Sequence, residues 1–109
     1  MSRLEMSEAY IFDAIRTPRG KGRKGGALNG CSPLVLLKTL IQELIKRHQL
    51  DSRAVEDLIL GCVTQVGEQG GNLAKVAALF SGLPASVAGV TLNRYCTSGL
   101  DACNFAAMK

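Results

Sequence analysis

Apolar and polar positions divide the chain into short apolar runs and longer stretches with helical periodicity. The short runs are rich in β-branched and aromatic residues, which is typical of buried strands. They cover residues 9–15, 55–66 and 87–92. We therefore predict three strands. The segment between the first run and the first periodic stretch, residues 16–31, is rich in glycine and basic residues and is predicted to be a long loop.

Three other segments predict helices. The first begins with Ser32 as its N-cap and Pro33 at the first helical position, and its apolar residues recur at helical spacing as far as His48. The second covers residues 72–80, with Asn72 as its cap, and the third covers residues 97–109. Strands that alternate with helices favour a parallel sheet, so the predicted fold class is α/β.

Composition fits a single globular unit. The 109 residues are 47% hydrophobic and 20% charged, which excludes a disordered or a collagen-like chain. Only five residues are aromatic and none is tryptophan, so aliphatic and small residues must pack closely to fill the core. Small residues also predict close approaches between backbone segments.

The basic character of the chain is local. The net charge is +4, but five of the thirteen lysines and arginines fall within residues 16–24, and the rest of the chain has a net charge of −1. Such a loop could bind a phosphate, although a run of charge is more often a solvated surface, which is the interpretation that we favour. A nucleic-acid partner is not expected, because no aromatic residues lie among these charges.

The chain opens without the pattern of a secretory signal or a transit peptide, so we expect a cytoplasmic protein. Residues 76–93 carry no charge, but glycines and a proline interrupt them. No membrane-spanning segment is therefore predicted.

The four cysteines do not form a metal or disulfide pattern. They are Cys31, Cys62, Cys96 and Cys103, with no C-x-x-C pair, and His48 is the single histidine. A zinc site would have too few suitably spaced ligands. Four free thiols in a reducing compartment are the expectation.

Two other candidate motifs have ordinary explanations. Residues 20–25 match G-x-G-x-x-G, but no strand leads directly into them and no helix follows directly, so a dinucleotide site is not predicted. His48 follows Lys46 and Arg47 at the end of the first predicted helix, where an exposed cation is common. We predict no catalytic role for it.

Residues 94–99 (RYCTSG) are the most informative stretch, because they join a predicted strand to a predicted helix and place Cys96 at the turn. Amide groups at a helix N-terminus stabilise a thiolate and can donate to an oxyanion. A buried structural thiol at a helix start would by itself be the more common case. The surrounding residues decide between the two.

These residues resemble the nucleophile motif of the thiolases, which transfer acyl groups between coenzyme A (CoA) thioesters. The resemblance is carried by three blocks in order: residues 13–18 with Gly20 and Lys21; residues 61–67 with Gly70, Asn72 and residues 77–78; and residues 93–100. It implies a thiolase-like α/β fold, the parallel-strand core of a layered α/β/α domain. By the same resemblance, residues 1–109 form the N-terminal part of the first thiolase core domain, incomplete at its C-terminal end.

The resemblance also implies a mechanism. Cys96 would attack an acyl-CoA thioester, hold the acyl group, and pass it to the carbanion of acetyl-CoA, or run the reverse thiolysis. The backbone N–H of Cys96 is a candidate oxyanion donor. Acyl-CoA, acetyl-CoA and CoA are the expected partners, with no separate cofactor and no metal, and we expect a homo-oligomer. The histidines and second cysteine that thiolases carry late in the chain have no counterpart here, so the 109 residues alone are expected to be inactive.

Four positions depart from the pattern of many thiolases, which carry Arg at Lys75, Gln at Tyr95, Ser or Ala at Thr97 and Gln at Asp101. The aromatic residue before the cysteine, the acidic residue at position 101 and the basic Gly-Lys-Gly loop at residues 20–22 resemble a branch of the family that acts on fatty acyl chains. Acyl chain length is left open.

Two alternatives remain at this point. A condensing enzyme of the ketoacyl-synthase type shares the fold and the nucleophile position, but its motif around the cysteine differs. A non-catalytic module would bind phosphate through residues 16–24 and use Cys96 only for structure.

Overall fold

The computed structural model describes residues 8–109, so residues 1–7 of the opening segment lie outside the described part of the chain. Its elements are α1 (Pro33–His48), β1 (Asp57–Gly61), α2 (Leu73–Phe80), β2 (Ala88–Leu92) and α3 (Ser98–Ala107). Short 3₁₀ turns at Ser52–Ala54 and Gly67–Gln69 precede β1 and α2. Among these residues no helix is long and apolar enough to cross a membrane.

The two strands lie side by side and run parallel, with Leu58 opposite Gly89 and Leu60 opposite Thr91. The helix α2 connects them, so the unit is β-α-β, as the alternation of strands and helices predicts. The parallel α/β class is confirmed.

Helices cover both faces of this sheet. Side chains alternate between the two faces of a strand. Leu58 packs against the cluster of α1 and α2, whereas its neighbour Asp57 forms an ion pair of 2.8 Å with Lys109, just beyond α3. The helices α1 and α2 therefore lie on one face and α3 on the other, which gives the layered α/β/α arrangement.

The core lies between α2 and the sheet. Ala78, Leu83 and Val87 are buried there, and partly buried aliphatic residues of α1 and β1 pack against them. Alanine side chains line the inner face of α2, and these small residues allow the helix to approach β2 closely. At Gly89 an added Cβ would lie 2.6 Å from the backbone of Lys75, so only glycine fits that approach.

All three predicted helices are confirmed, with ends that shift by no more than two residues. The Ser32 hydroxyl accepts the N–H of Val35 at the start of α1, and the Asn72 side chain accepts the N–H of Lys75 at the start of α2. The loop at residues 16–31 is also confirmed: it contains turns but no helix or strand.

The first predicted strand, residues 9–15, is wrong. This segment pairs with neither strand of the described sheet, and Tyr10, Ile11 and Phe12 are 70%, 89% and 90% exposed. Apolar content indicates that a segment can be buried, but a strand also needs a neighbouring backbone to pair with. Within residues 8–109 the observed order is therefore α-β-α-β-α.

The second predicted strand, residues 55–66, is too long. Pairing begins at Asp57 and ends at Gly61, opposite the last residue of β2, and the N–H of Cys62 makes the last bond to the carbonyl of Leu92. Beyond that point β2 offers no further backbone. Gln65 and Gln69 side chains instead satisfy the carbonyls of Cys62 and Thr64.

Candidate active site

Cys96 lies in the turn between β2 and α3, at the edge of the sheet where the parallel strands end. This edge is where α/β proteins place their ligands. The side chain of Cys96 is exposed, and the cysteine comes two residues before the first residue of α3. The structure thus gives Cys96 the position that the sequence predicts, between a strand and the N-terminus of a helix.

The turn contains a strained residue directly before the cysteine. Tyr95 has a φ of 47°, in the left-handed region that is unfavourable for a bulky side chain. Such a conformation costs on the order of 1–3 kcal/mol and persists only where surrounding contacts fix it. The residue is 77% exposed, so packing of its side chain does not fix this conformation.

Hydrogen bonds within the turn fix the conformation of Tyr95. The N–H of Tyr95 donates to Asn93 Oδ1 over 2.8 Å, and the carbonyl of Tyr95 accepts both from the Ser98 hydroxyl over 2.6 Å and from the Ser98 N–H over 3.0 Å. The carbonyl of Arg94 accepts from the N–H and the hydroxyl of Thr97. The N–H of Cys96 has no acceptor among the described residues.

The start of α3 also has free donors. Thr97 occupies the N-cap position, but its hydroxyl bonds back to Arg94 and does not cap the helix. An ion pair of 3.0 Å between Arg94 Nε and Asp101 Oδ2 joins the turn to the first turn of α3. Uncapped amides at a helix N-terminus attract negative charge, so a thiolate or an oxyanion beside Cys96 is favoured.

Gly61 allows this arrangement, because the end of β1 passes directly against the start of α3. A Cβ added at Gly61 would lie 2.6 Å from the backbone N of Gly99. Real Cβ atoms do not approach backbone so closely, so any other residue would push α3 and the turn away from the sheet.

Gly61→Ala is therefore expected to destabilise the protein by about 1–3 kcal/mol through overpacking. Gly99→Ala is a matched control, since a Cβ there meets no atom within 4 Å and Ala favours a helix. The thermal midpoint should fall for the first variant and stay or rise for the second. Equal midpoints for the two variants would contradict the close approach.

The other three cysteines lie elsewhere. Cys31 comes directly before the N-cap of α1, Cys62 directly follows β1, and Cys103 lies in the middle of α3. All four thiols are free in the structure. Cys31 is the instructive comparison, because it also precedes a helix, but there the Ser32 side chain caps the helix amides.

His48 lies at the other end of α1. Pro33, at the start of that helix, lines the same surface cleft as Gly61. His48 is fifteen residues further on, about 22 Å along the helix axis at 1.5 Å per residue. The single histidine of the sequence is therefore placed at the end of α1 remote from that cleft.

The sequence does not predict that His48 contacts Asp13. Its Nε2 lies 2.7 Å from Asp13 Oδ2, and Arg47 also reaches this carboxylate over 3.3 Å. The hydrogen bond from His48, followed by that from the N–H of Ala14, lowers the pKa of Asp13. This cluster attaches the segment at residues 9–15 to the end of α1.

The basic residues of the loop at positions 16–24 are all exposed. A shallow depression beside them is lined by the loop itself, including Lys21, Arg23 and Lys24. No helix follows before Pro33, so the G-x-G-x-x-G match has no helix N-terminus to serve it. Among the described residues no group of three or more His, Cys, Asp or Glu side chains is placed to hold a metal ion.

Comparison with known proteins defines the class. The family model described as "Thiolase, N-terminal domain" matches residues 9–109. The chain belongs to the thiolase family.

Individual relatives agree with this assignment. A β-ketoadipyl-CoA thiolase of Escherichia coli is 50% identical over 103 residues, which cover 94% of this chain and 25% of the relative. A steroid 3-ketoacyl-CoA thiolase of Mycobacterium tuberculosis is 44% identical over 102 residues, again 94% of this chain and 25% of the relative. The chain thus spans about a quarter of the length of the curated relatives it matches.

Solved structures confirm the fold. The acetyl-CoA acetyltransferase of Bacillus anthracis superposes with a TM-score of 0.70 at 39% identity, over 77% of this chain and 21% of that one. The Acat5 thiolase of Ascaris suum in complex with coenzyme A superposes with a TM-score of 0.68 at 35% identity, over 73% of this chain and 21% of that one. The thiolase-like α/β fold predicted from the sequence is confirmed.

Proposed function

We propose that this chain supplies the nucleophile of an acyltransferase that works on CoA thioesters, and that Cys96 is that nucleophile. The observation that carries the proposal is the position of Cys96: exposed, in a hydrogen-bonded turn at the end of β2, directly before the uncapped N-terminus of α3. Membership of the thiolase family supports it, as do relatives whose names describe thiolases of 3-oxoacyl-CoA compounds.

The reaction proceeds in two transfers. The Cys96 thiolate attacks the thioester carbonyl of an acyl-CoA, the bond from that carbon to the CoA sulfur breaks, and CoA leaves as a thiol after taking a proton. The carbanion of acetyl-CoA then attacks the acyl-cysteine and releases the Cys96 thiolate. In the thiolysis direction the Cys96 thiolate attacks the 3-oxo carbonyl of a 3-oxoacyl-CoA, the bond between C2 and C3 breaks, and acetyl-CoA leaves after its C2 takes a proton. The thiolate of CoA then attacks the acyl-cysteine, forms the shortened acyl-CoA and releases the Cys96 thiolate. Each attack forms an oxyanion, for which the free N–H of Cys96 is a donor.

Two acid/base groups are needed beside these residues. One deprotonates the Cys96 thiol and the other removes the α-proton of acetyl-CoA. Within residues 8–109 the single histidine is remote from Cys96 and bonded to Asp13. We propose that the two groups belong to other residues of a longer chain, of which residues 1–109 form the first part of the first core domain, and that this part alone does not turn over.

The proposed partners are the substrates acyl-CoA, acetyl-CoA and CoA. We also propose that the protein is cytoplasmic and forms a homo-oligomer. We propose that the exposed basic loop at residues 16–24 takes no part in the chemistry, because the depression beside it is lined by residues of the loop itself and does not include Cys96. Fatty acyl and dicarboxylic acyl chains are both candidate substrates, since relatives named 3-ketoacyl-CoA thiolase and β-ketoadipyl-CoA thiolase both share this segment.

Competition among the four thiols tests the proposal in the natural gene product, meaning the protein as its own gene encodes it. Substoichiometric iodoacetamide is expected to label Cys96 before the other three, because it is exposed and comes directly before the uncapped N-terminus of α3. Peptide mapping by mass spectrometry gives the order of labelling. Cys31 is the internal control: it is exposed and precedes a capped helix, so preferential labelling of Cys31 would contradict the assignment.

A further inference from the structure

The peptide unit between Tyr95 and Cys96 is held at its carbonyl end. The hydroxyl and the N–H of Ser98 both donate to the Tyr95 carbonyl, over 2.6 and 3.0 Å. A trans peptide is planar, and its C=O and N–H point in opposite directions. No peptide in the described chain is cis. Fixing the carbonyl of Tyr95 therefore fixes the direction in which the N–H of Cys96 points.

The hydroxyl of Ser98 is itself held in place. Its oxygen accepts the N–H of Arg94 over 2.8 Å while its hydrogen goes to Tyr95. The residue is only 4% exposed, so water does not compete for these bonds. One buried hydroxyl thus connects the backbone on both sides of the strained residue.

Loss of that hydroxyl would leave the Ser98 N–H as the one remaining donor to the carbonyl of Tyr95 among the described residues. The Tyr95–Cys96 peptide would then be less restrained against rotation about ψ of Tyr95 and φ of Cys96, a rotation that turns the Cys96 N–H away from its direction. Asn93 would still hold the N–H of Tyr95, which belongs to the preceding peptide unit. The orientation of the Cys96 N–H therefore depends on Ser98 more than on any other side chain of the turn.

We propose that Ser98 is a positioning residue whose hydroxyl aims the N–H of Cys96 at the oxyanion formed when Cys96 is acylated. The inference rests on the proposed function, which makes Cys96 the nucleophile. An oxyanion exists only during the attack, so the hydroxyl should raise the rate of acylation without changing the binding of the thioester.

Ser98→Ala in the natural gene product tests this inference. A single turnover with acetyl-CoA should release CoA about 10²-fold more slowly, the loss typical of removing one oxyanion donor. Alkylation of Cys96 by iodoacetamide, which displaces iodide and forms no oxyanion, should stay close to its original rate. A merely structural role would slow both reactions together.

Thr97→Ala is the matched control. Thr97 also donates a hydroxyl within the turn, over 2.8 Å, but to the carbonyl of Arg94, one peptide unit before the one that carries the Cys96 N–H. Its loss should slow acylation far less than the loss of the Ser98 hydroxyl. Equal losses in the two variants would overturn the specific role of Ser98.

If Ser98→Ala fails to fold, as shown by circular dichroism, Ser98→Thr and Ser98→Val decide the question. These two variants have nearly the same shape and differ by the hydroxyl, so the inference expects faster acylation in the threonine variant. Equal acylation rates in that pair, or unchanged acylation in a folded Ser98→Ala, would overturn it. Failure of the proposed function is distinguishable, because then the unaltered protein itself would form no acyl-cysteine at Cys96.

Discussion

Cys96→Ala in the natural gene product is expected to lower thiolysis of acetoacetyl-CoA by about 10⁴-fold or more. Removal of a covalent nucleophile eliminates the two-step route, and losses of this size are typical of such substitutions. Binding of the CoA thioester should change little, because the thiol contributes to the attack and hardly to recognition. The measurement is the disappearance of the 3-oxoacyl thioester with CoA in excess.

Cys103→Ala is the control for this substitution. Cys103 is also an exposed thiol, and it lies on α3 seven residues after Cys96. Its replacement should leave the rate within about threefold of the original, as for an ordinary surface change. A large loss in Cys103→Ala together with a small one in Cys96→Ala would reverse the assignment of the nucleophile.

Residues 1–109 expressed alone are expected to show turnover close to the uncatalysed background. Cys96 is present, but the base for its thiol and the acid/base for acetyl-CoA are not among the groups placed beside it, and each such group contributes roughly 10²- to 10⁴-fold in rate. The exposed apolar residues of the segment at positions 9–15 should also make this chain poorly soluble.

The comparison uses acetoacetyl-CoA and CoA with equal concentrations of Cys96 in the short chain and in the natural gene product. Circular dichroism of the short chain shows whether its helices are formed. Robust turnover by residues 1–109 that disappears in Cys96→Ala would contradict the account, since a base would then lie within these residues.

Local signals predicted most of the fold. Caps such as Ser32 and Asn72 act through bonds to amides three residues further on, so sequence alone locates the starts of α1 and α2. Pairing of strands is not local. Residues 9–15 have the composition of a strand, yet no described backbone lies beside them, and β1 ends where β2 ends.

The sequence likewise predicted only some features of the candidate site. A cysteine between a strand and a helix is visible in the sequence, and so is the small residue Ser98. The close approach of Gly61 to α3 depends on a contact between segments more than thirty residues apart, which no local pattern encodes. The left-handed φ of Tyr95 is fixed by bonds within the turn, but a tyrosine does not signal it, because bulky residues disfavour that conformation. A glycine at the end of an apolar run is the one signal that could have indicated such an approach.

The structure shows the contacts of two residues that depart from the usual thiolase pattern, Lys75 and Asp101. Lys75 Nζ donates to the carbonyls of Ala85 and Val87 over 2.7 and 2.5 Å, so it joins α2 to the segment before β2. Asp101 pairs with Arg94 across the turn. Asp101 thus supports the turn that carries Cys96, whereas Lys75 supports the backbone at the opposite end of β2.

Mass spectrometry can locate the acyl group itself on the protein. The natural gene product is mixed with acetoacetyl-CoA in the absence of free CoA, quenched in acid within one turnover, and digested for mass spectrometry. We expect an added acetyl group on the peptide that contains Cys96, and none on that peptide in Cys96→Ala. An acetyl group found on Cys31, Cys62 or Cys103 instead, or turnover with no acylated cysteine at all, would contradict this expectation.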